Sequence, residues 1–171
     1  MALTEFSYGT ATANGYDSAT YSPDKAFNGS TSDAWVYNAN PPGWLKMDYG
    51  AGVAHIITRY TLDCREAWMG NFWPHDWVFQ GSNDDSNWTD LDTQTGITSN
   101  GSNGEVKTFD FVNTTAYRYY RWYITKGVTP DSPYSAYAAV EMELWGDDVV
   151  GWAHISKVGG VSEGNISKVQ G

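Results

Sequence analysis

Hydrophobic and polar residues alternate with a period of two along much of the chain. In EVKTFDFV (105–112), Val106, Thr108, Asp110 and Val112 alternate with Lys107, Phe109 and Phe111, so the two Phe side chains share one face. The segments 43–50, 54–64, 76–84, 105–112, 116–125 and 137–146 concentrate β-branched and aromatic residues between turn signals, and each predicts a strand. After 76–84 comes a turn and NWTDLDTQTG (87–96). No stretch sustains apolar residues at helical spacing between caps. The pattern predicts an all-β domain, most economically a sandwich of two antiparallel sheets. Two longer irregular stretches, 65–77 and 126–137, interrupt the strands. The first carries three Trp, a Phe, a His and a Pro, more aromatic surface than a simple chain reversal needs.

Composition narrows the partners. The 171 residues suit one domain with a short appendage, and an aromatic content of 16% can fill a core with rings left over for the surface. The formal net charge is −10, and the ten basic residues are scattered singly. No patch can follow a phosphate backbone, which argues against nucleic acid, and an anionic bilayer surface is disfavoured for the same reason. A neutral polar ligand or a bound cation fits better. Cys64 is the only cysteine, so an internal disulfide is impossible. No apolar run approaches the roughly 20 residues of a membrane span, and the N-terminus lacks the pattern of a signal peptide.

Catalytic signatures are missing. His55, His75 and His154 have no metal-ligand spacing, and Cys64 has no nearby His to activate it. The pairs Asp84-Asp85 and Asp147-Asp148 sit in apparent turns. The expectation is a binding protein rather than an enzyme.

The tail differs from the body. Ile-Ser-Lys-Val recurs in HISKVGGVSEG (154–164) and NISKVQG (165–171), a period of eleven residues. The chain therefore divides into a sandwich, 1–149, and a short repeat tail, 150–171. Two copies are too few for a solenoid. The tail reads either as small strands docked or frayed at a terminus, or as an assembly segment through which residues 152–171 join other subunits or a larger particle.

SPDKAFNGSTSDAWV (22–36) reads as neither strand nor helix. Its small polar residues suit an Asx-type turn closed by hydrogen bonds, or a loop that holds a metal.

Together, ATANGYDSATYSPDKAFNGSTSDAWVYNANPPGWLKMDYG, DWVFQGSNDDSNWTDLDTQTG, FVNTTAYRYYRWYIT and AAVEMELWG resemble, in order, the motifs of the discoidin (coagulation factor C-type) domains. Within that superfamily they are most similar to the family 32 carbohydrate-binding modules. The resemblance spans about Ala11 to Gly146. It implies an eight-stranded jelly-roll sandwich that binds glycans, non-catalytically, through loops at one end. It also implies a structural Ca²⁺ held by the Lys25 carbonyl, Asn28, Ser30, Asp33 and Glu141, with the Val140 carbonyl beside them. Asn28 departs from the pattern, because the family usually has Asp there.

A sugar is bound by stacking on a ring while amides, carboxylates, Arg or His take its hydroxyls. The 65–77 loop offers Arg65, Glu66, Trp68, Asn71, Phe72, Trp73 and His75. The segment 35–44 adds Tyr37, Asn38 and Asn40, and the later loop adds Tyr134. Trp35, Trp44, Trp77 and Trp88 lie in or beside strand motifs and are assigned to the core. The tail resembles short repeats of bacteriophage tail and surface proteins. That implies a virion adhesin as the alternative, and an extracellular or virion-associated location.

Overall fold

The computed structural model describes residues 2–64, 73–99, 104–127 and 137–147. Their strands are β1 (Thr4–Glu5), β2 (Thr10–Ala13), β3 (Trp35–Tyr37), β4 (Gly43–Asp48), β5 (Ile56–Asp63), β6 (Asp76–Ser82), β7 (Thr89–Gln94), β8 (Val106–Asp110), β9 (Tyr119–Lys126), β10 (Tyr137–Ala139) and β11 (Glu141–Asp147). They form a four-stranded sheet β1-β11-β5-β8, a five-stranded sheet β2-β4-β9-β6-β7 and a two-stranded ladder β10-β3. Every pairing is antiparallel. Setting aside the two-residue β1 and the three-residue pair β3 and β10 leaves the eight strands of the expected jelly roll.

Side-chain alternation builds the core. In β4, Gly43, Leu45 and Met47 face inward while Trp44, Lys46 and Asp48 face outward. In β9, Tyr120, Trp122 and Ile124 face inward while Tyr119, Arg121 and Tyr123 face outward. Trp35, Trp77, Trp122, Tyr60, Tyr120 and Phe79 are among the fully buried side chains. Phe109 packs with its ring centroid 4.9 Å from Tyr60 and 5.3 Å from Trp77, and Phe111 packs on Tyr60 and Phe79, so the shared face expected of the two Phe is the inner one.

Several buried polar groups find partners in one another. Trp77 Nε1 donates to the Tyr60 hydroxyl at 2.8 Å, and that hydroxyl donates to Asp92 at 2.7 Å. Tyr120 donates to the His55 carbonyl at 2.6 Å and accepts from the Ile57 amide at 3.1 Å, which ties the two sheets together. Each such bond satisfies a group that would otherwise be desolvated without return. Cys64 is fully buried, and burial, with Asp63 and Glu105 nearby, pushes its thiol well above its ordinary range, so it is an inert core group.

Two expectations need correction. Trp44 and Trp88 are half-buried rather than core residues. Trp44 neighbours the inward Leu45 and so must point the other way, and Trp88 lies against the Arg121 guanidinium, 4.0 Å from its ring centroid. A 3-10 turn at Ala19–Tyr21 precedes the 22–36 segment, which itself contains a second at Pro23–Phe27 and enters β3 with its last residues. The 3-10 turn at Pro23–Phe27 buries Pro23 and Ala26 against the domain.

Candidate functional site

The sandwich has a loop end, where β4 and β11 begin and β5, β7 and β9 finish. The segments carrying the expected ligand residues join strands there. Arg65, Trp68, Asn71, Phe72 and Tyr134 lie outside the described residues.

Tyr37, at the end of β3, is half-buried, and its ring is stacked 6.2 Å from Trp35 and tilted 5.2 Å from Tyr137. Asn14 Nδ2 donates to the Tyr37 hydroxyl at 3.3 Å and to the Pro42 carbonyl at 3.4 Å. Asn14 Oδ1 accepts from the Trp44 amide at 2.8 Å. Asn14 therefore locks Tyr37 to the start of β4, and Asn38 and Asn40 follow it as exposed residues. Two glycines make the arrangement possible. A Cβ on Gly15 would overlap the Tyr37 ring edge, and one on Gly43 would overlap the Tyr137 hydroxyl.

His75 is half-buried and bonds side chain to side chain with Asp76. Its amide donates to the Lys126 carbonyl at 3.0 Å and its carbonyl accepts from Ile97 at 2.9 Å, joining three loop-end segments. Burial would raise the Asp76 carboxyl, but the Gly96 amide, His75 and Lys126 outweigh it and hold the group below its ordinary value. Trp73 is the corrected member of the set. It is 1% exposed and belongs to the core, with Lys107 Nζ 5.0 Å from its ring centroid, so it offers no open face to a sugar. Trp73 stands just before β6, and its ring joins the buried core cluster.

Asn14, Gly15, Gly43 and Tyr137 escaped the reading of the sequence. Asn14-Gly15 is visible as a turn dipeptide, but only the register of β2 on β4, Ala13 opposite Leu45, brings it beside Trp44 and Tyr37.

The expected calcium residues gather around one turn. Gly29, with φ +70°, donates its amide to Glu141 Oε2 at 3.0 Å. Asn28 Nδ2 lies 3.2 and 3.1 Å from the two Asp33 oxygens, and Asn28 Oδ1 accepts from the Ser30 amide at 2.8 Å. Ser30 Oγ accepts from Ser32, and Lys25 Nζ is 3.4 Å from Asp33. Val140 donates its amide to the Asp63 carbonyl at 2.7 Å, fixing the start of β11. Burial, together with Glu143, Glu5 and Asp33, pushes the Glu141 carboxyl up to about 7 against the pull of the Gly29 amide. Burial would also raise Asp33, but hydrogen bonds from Ser30, Asn28 and Lys25, with the Lys25 charge, hold it below its ordinary value. Asn28, Ser30, Asp33 and Glu141 supply oxygens of the type calcium takes, and in this structure those oxygens are engaged by the Ser30, Ser32 and Gly29 amides, by Asn28 Nδ2 and by Lys25. Among the described residues no cluster of three or more His, Cys, Asp or Glu side chains is arranged for a metal, so any such site here depends on amide, hydroxyl and carbonyl oxygens.

Comparison with known proteins agrees with this architecture. The F5/8 type C domain model matches residues 10–142. A chitosan-binding module from a chitosanase/glucanase of Paenibacillus sp. IK-5 is 25% identical, with a TM-score of 0.63 over 81% of this chain and 95% of the module. A second module of that enzyme, solved with chitotriose, is 24% identical, with a TM-score of 0.63 over 81% of this chain and 96% of its own. A Clostridium perfringens module solved with GalNAc-β-1,3-galactose is 17% identical, with a TM-score of 0.65 over 79% of this chain and 93% of its own. No curated relative matches the sequence. With an antiparallel β-sandwich and a family match across most of its length, the chain belongs to the F5/8 type C domain family.

Proposed function

We propose that this protein is a non-catalytic glycan-binding module whose ligand sits at the loop end of the sandwich, against Tyr37 and the amides around it. The carrying observation is the Asn14 clamp: it fixes a half-buried ring beside the exposed Asn38 and Asn40, pairing an apolar ring with amide hydrogen-bonding groups as sugar recognition requires. The 25% identity to a chitosan-binding module supports a glucosamine-type ligand. So does charge, because ammonium-bearing sugars complement a chain of net charge −10. A structural calcium ion, held by Asn28, Ser30, Asp33, Glu141 and the carbonyls of Lys25 and Val140, would brace the first loop against β11.

Titration with glucosamine oligosaccharides, in buffer containing calcium, tests the reading. Saturable binding that weakens with added salt is expected. Absence of binding to these oligomers and to a broad glycan array would overturn it.

A virion adhesin is a second reading compatible with the first. β11 enters at the loop end and finishes at Asp147 at the opposite end, where β1 pairs Thr4 with Gly146. A partner joined through the segment that follows would leave the loops facing outward. Removing residues 152–171 and measuring solution mass tests it; an unchanged monomer would deny the tail an assembly role.

A further inference from the structure

The outer face of the five-stranded sheet carries a group of rings and cations that the loop-end site does not use. Strand register sets Trp44 opposite Tyr123, Lys46 opposite Arg121 and Asp48 opposite Tyr119, all on the outward face. Lys46 Nζ lies 5.2 Å from the Trp44 ring centroid and 5.4 Å from that of Tyr119. The Arg121 guanidinium lies 4.0 Å from Trp88 and 4.8 Å from Tyr123. Like charges directly opposite on a sheet are destabilising, so this pair needs compensation.

That compensation decides what the face can bind. Lys46 pairs with Asp85 at 2.6 Å, and Arg118 holds Asp48 through contacts of 2.7 and 2.9 Å. Arg121 donates to Gln80 at 2.6 Å, and Gln80 donates in turn to Asp90 at 2.5 Å. The cations are thus matched by acids close by, and the chain as a whole carries −10, so the face is no anion site. It combines half-exposed aromatic rings with ammonium, guanidinium, carboxylate and amide groups, the chemistry that recognises a polyol. Position adds a second argument. Asn14 accepts from the Trp44 amide and donates to Tyr37, so the Trp44 end of the face adjoins the clamp that holds the loop-end ring. Val78 continues the Trp44–Tyr123 row, and Trp88 over Arg121 closes the patch on the far side.

We propose that the ligand is an extended oligosaccharide, gripped at the loop end by Tyr37 and running down the outer face of the five-stranded sheet over Trp44 and Tyr123. This rests on the glycan reading above and specifies its ligand as a chain rather than a terminal sugar.

Calorimetric titration of the full chain with a glucosamine dimer and a glucosamine hexamer tests it. The hexamer should bind about tenfold more tightly than the dimer. Tyr123→Ala should remove most of that advantage and leave dimer affinity unchanged, while Tyr123→Phe should keep it. Backbone amide shifts of the unaltered protein provide a measurement that needs no variant: the hexamer should perturb β4 and β9 residues that the dimer leaves unmoved. Equal affinities for dimer and hexamer, or identical shift maps, would overturn the tract and leave the loop-end reading standing. Binding of neither oligomer would overturn the tract, and silence on a broad glycan array as well would overturn the loop-end reading with it.

Discussion

The Tyr137 hydroxyl lies against the backbone of Gly43, where a side chain of any size would overlap it. Tyr137 is fully buried, and its hydroxyl has no hydrogen-bond partner among the described residues. Gly43→Ala should therefore cost about 1–3 kcal/mol through overpacking, read as a lower melting temperature. Tyr137→Phe removes a desolvated hydroxyl and should be neutral or stabilising, by up to about 1 kcal/mol. The double variant should recover part of the loss, since the Tyr137 ring carbons would still crowd a Cβ at Gly43. If Gly43→Ala melts with the parent, the contact does not constrain the fold.

The stack of Trp88 on Arg121 makes a separate prediction. Arg121 is partly buried, and desolvation lowers the basicity of its guanidinium, so neighbouring rings and acids must help hold the charge. A double-mutant cycle of Trp88→Ala and Arg121→Gln should give a coupling of about 0.5–1 kcal/mol, as expected for a cation over a ring at a partly exposed site. A coupling of zero would mean that the two groups merely lie near each other.

The sequence made the sandwich legible because period-two alternation is a local signal. Leu45 and Met47 against Trp44 and Lys46, or Phe109 against Thr108, announce their faces without knowledge of the neighbouring strand. The short strands β1, β2 and β3 were not legible, since two to four residues carry no period and exist only through their partners, while β10 was read as one strand with β11. The candidate site was legible in location and not in membership. Aromatic content marked Trp73 as a platform, but whether a loop Trp faces solvent or the core depends on packing, and here the ring turns inward. Trp44 failed in the opposite direction: a Trp within a strand looks like core until the register shows that Leu45 already fills the inner position. Asn14 could not be found at all, because its role depends on the pairing of β2 with β4.

Acid should weaken the protein through Asp48. The two-point contact with Arg118 is the main influence on this carboxyl, and it holds the folded-state value below the 3.8 of a free Asp despite partial burial. The contribution is therefore complete above the unfolded value and is lost as pH falls below it toward the folded value. Both side chains are partly exposed, so the effect should be less than about 1 kcal/mol. Asp48→Asn should lower the melting temperature at neutral pH and reduce the fall in stability below about pH 4. Parallel pH–stability curves for parent and variant would contradict the assignment.

Calcium makes the sharpest prediction, because two substitutions should change sign with the metal. At pH 8 the Glu141 carboxylate is charged although burial, Glu143, Glu5 and Asp33 all disfavour that state. Glu141→Gln keeps an acceptor for the Gly29 amide and removes the penalty, so in chelator the variant should melt at or above the parent. In saturating calcium the order should reverse: a ligand at about 100 times its Kd adds about 2.7 kcal/mol to the parent, and the variant lacks a charged donor. Asn28→Asp should behave in the opposite way. It replaces the Nδ2 contacts to Asp33 with a repulsion, which lowers stability in chelator. With calcium it supplies another anionic oxygen and should tighten binding. Thermal melts of the three proteins with chelator and with added calcium test all of this. A parent whose melting temperature ignores both additions would leave the turn held by its hydrogen bonds and the Lys25–Asp33 pair alone.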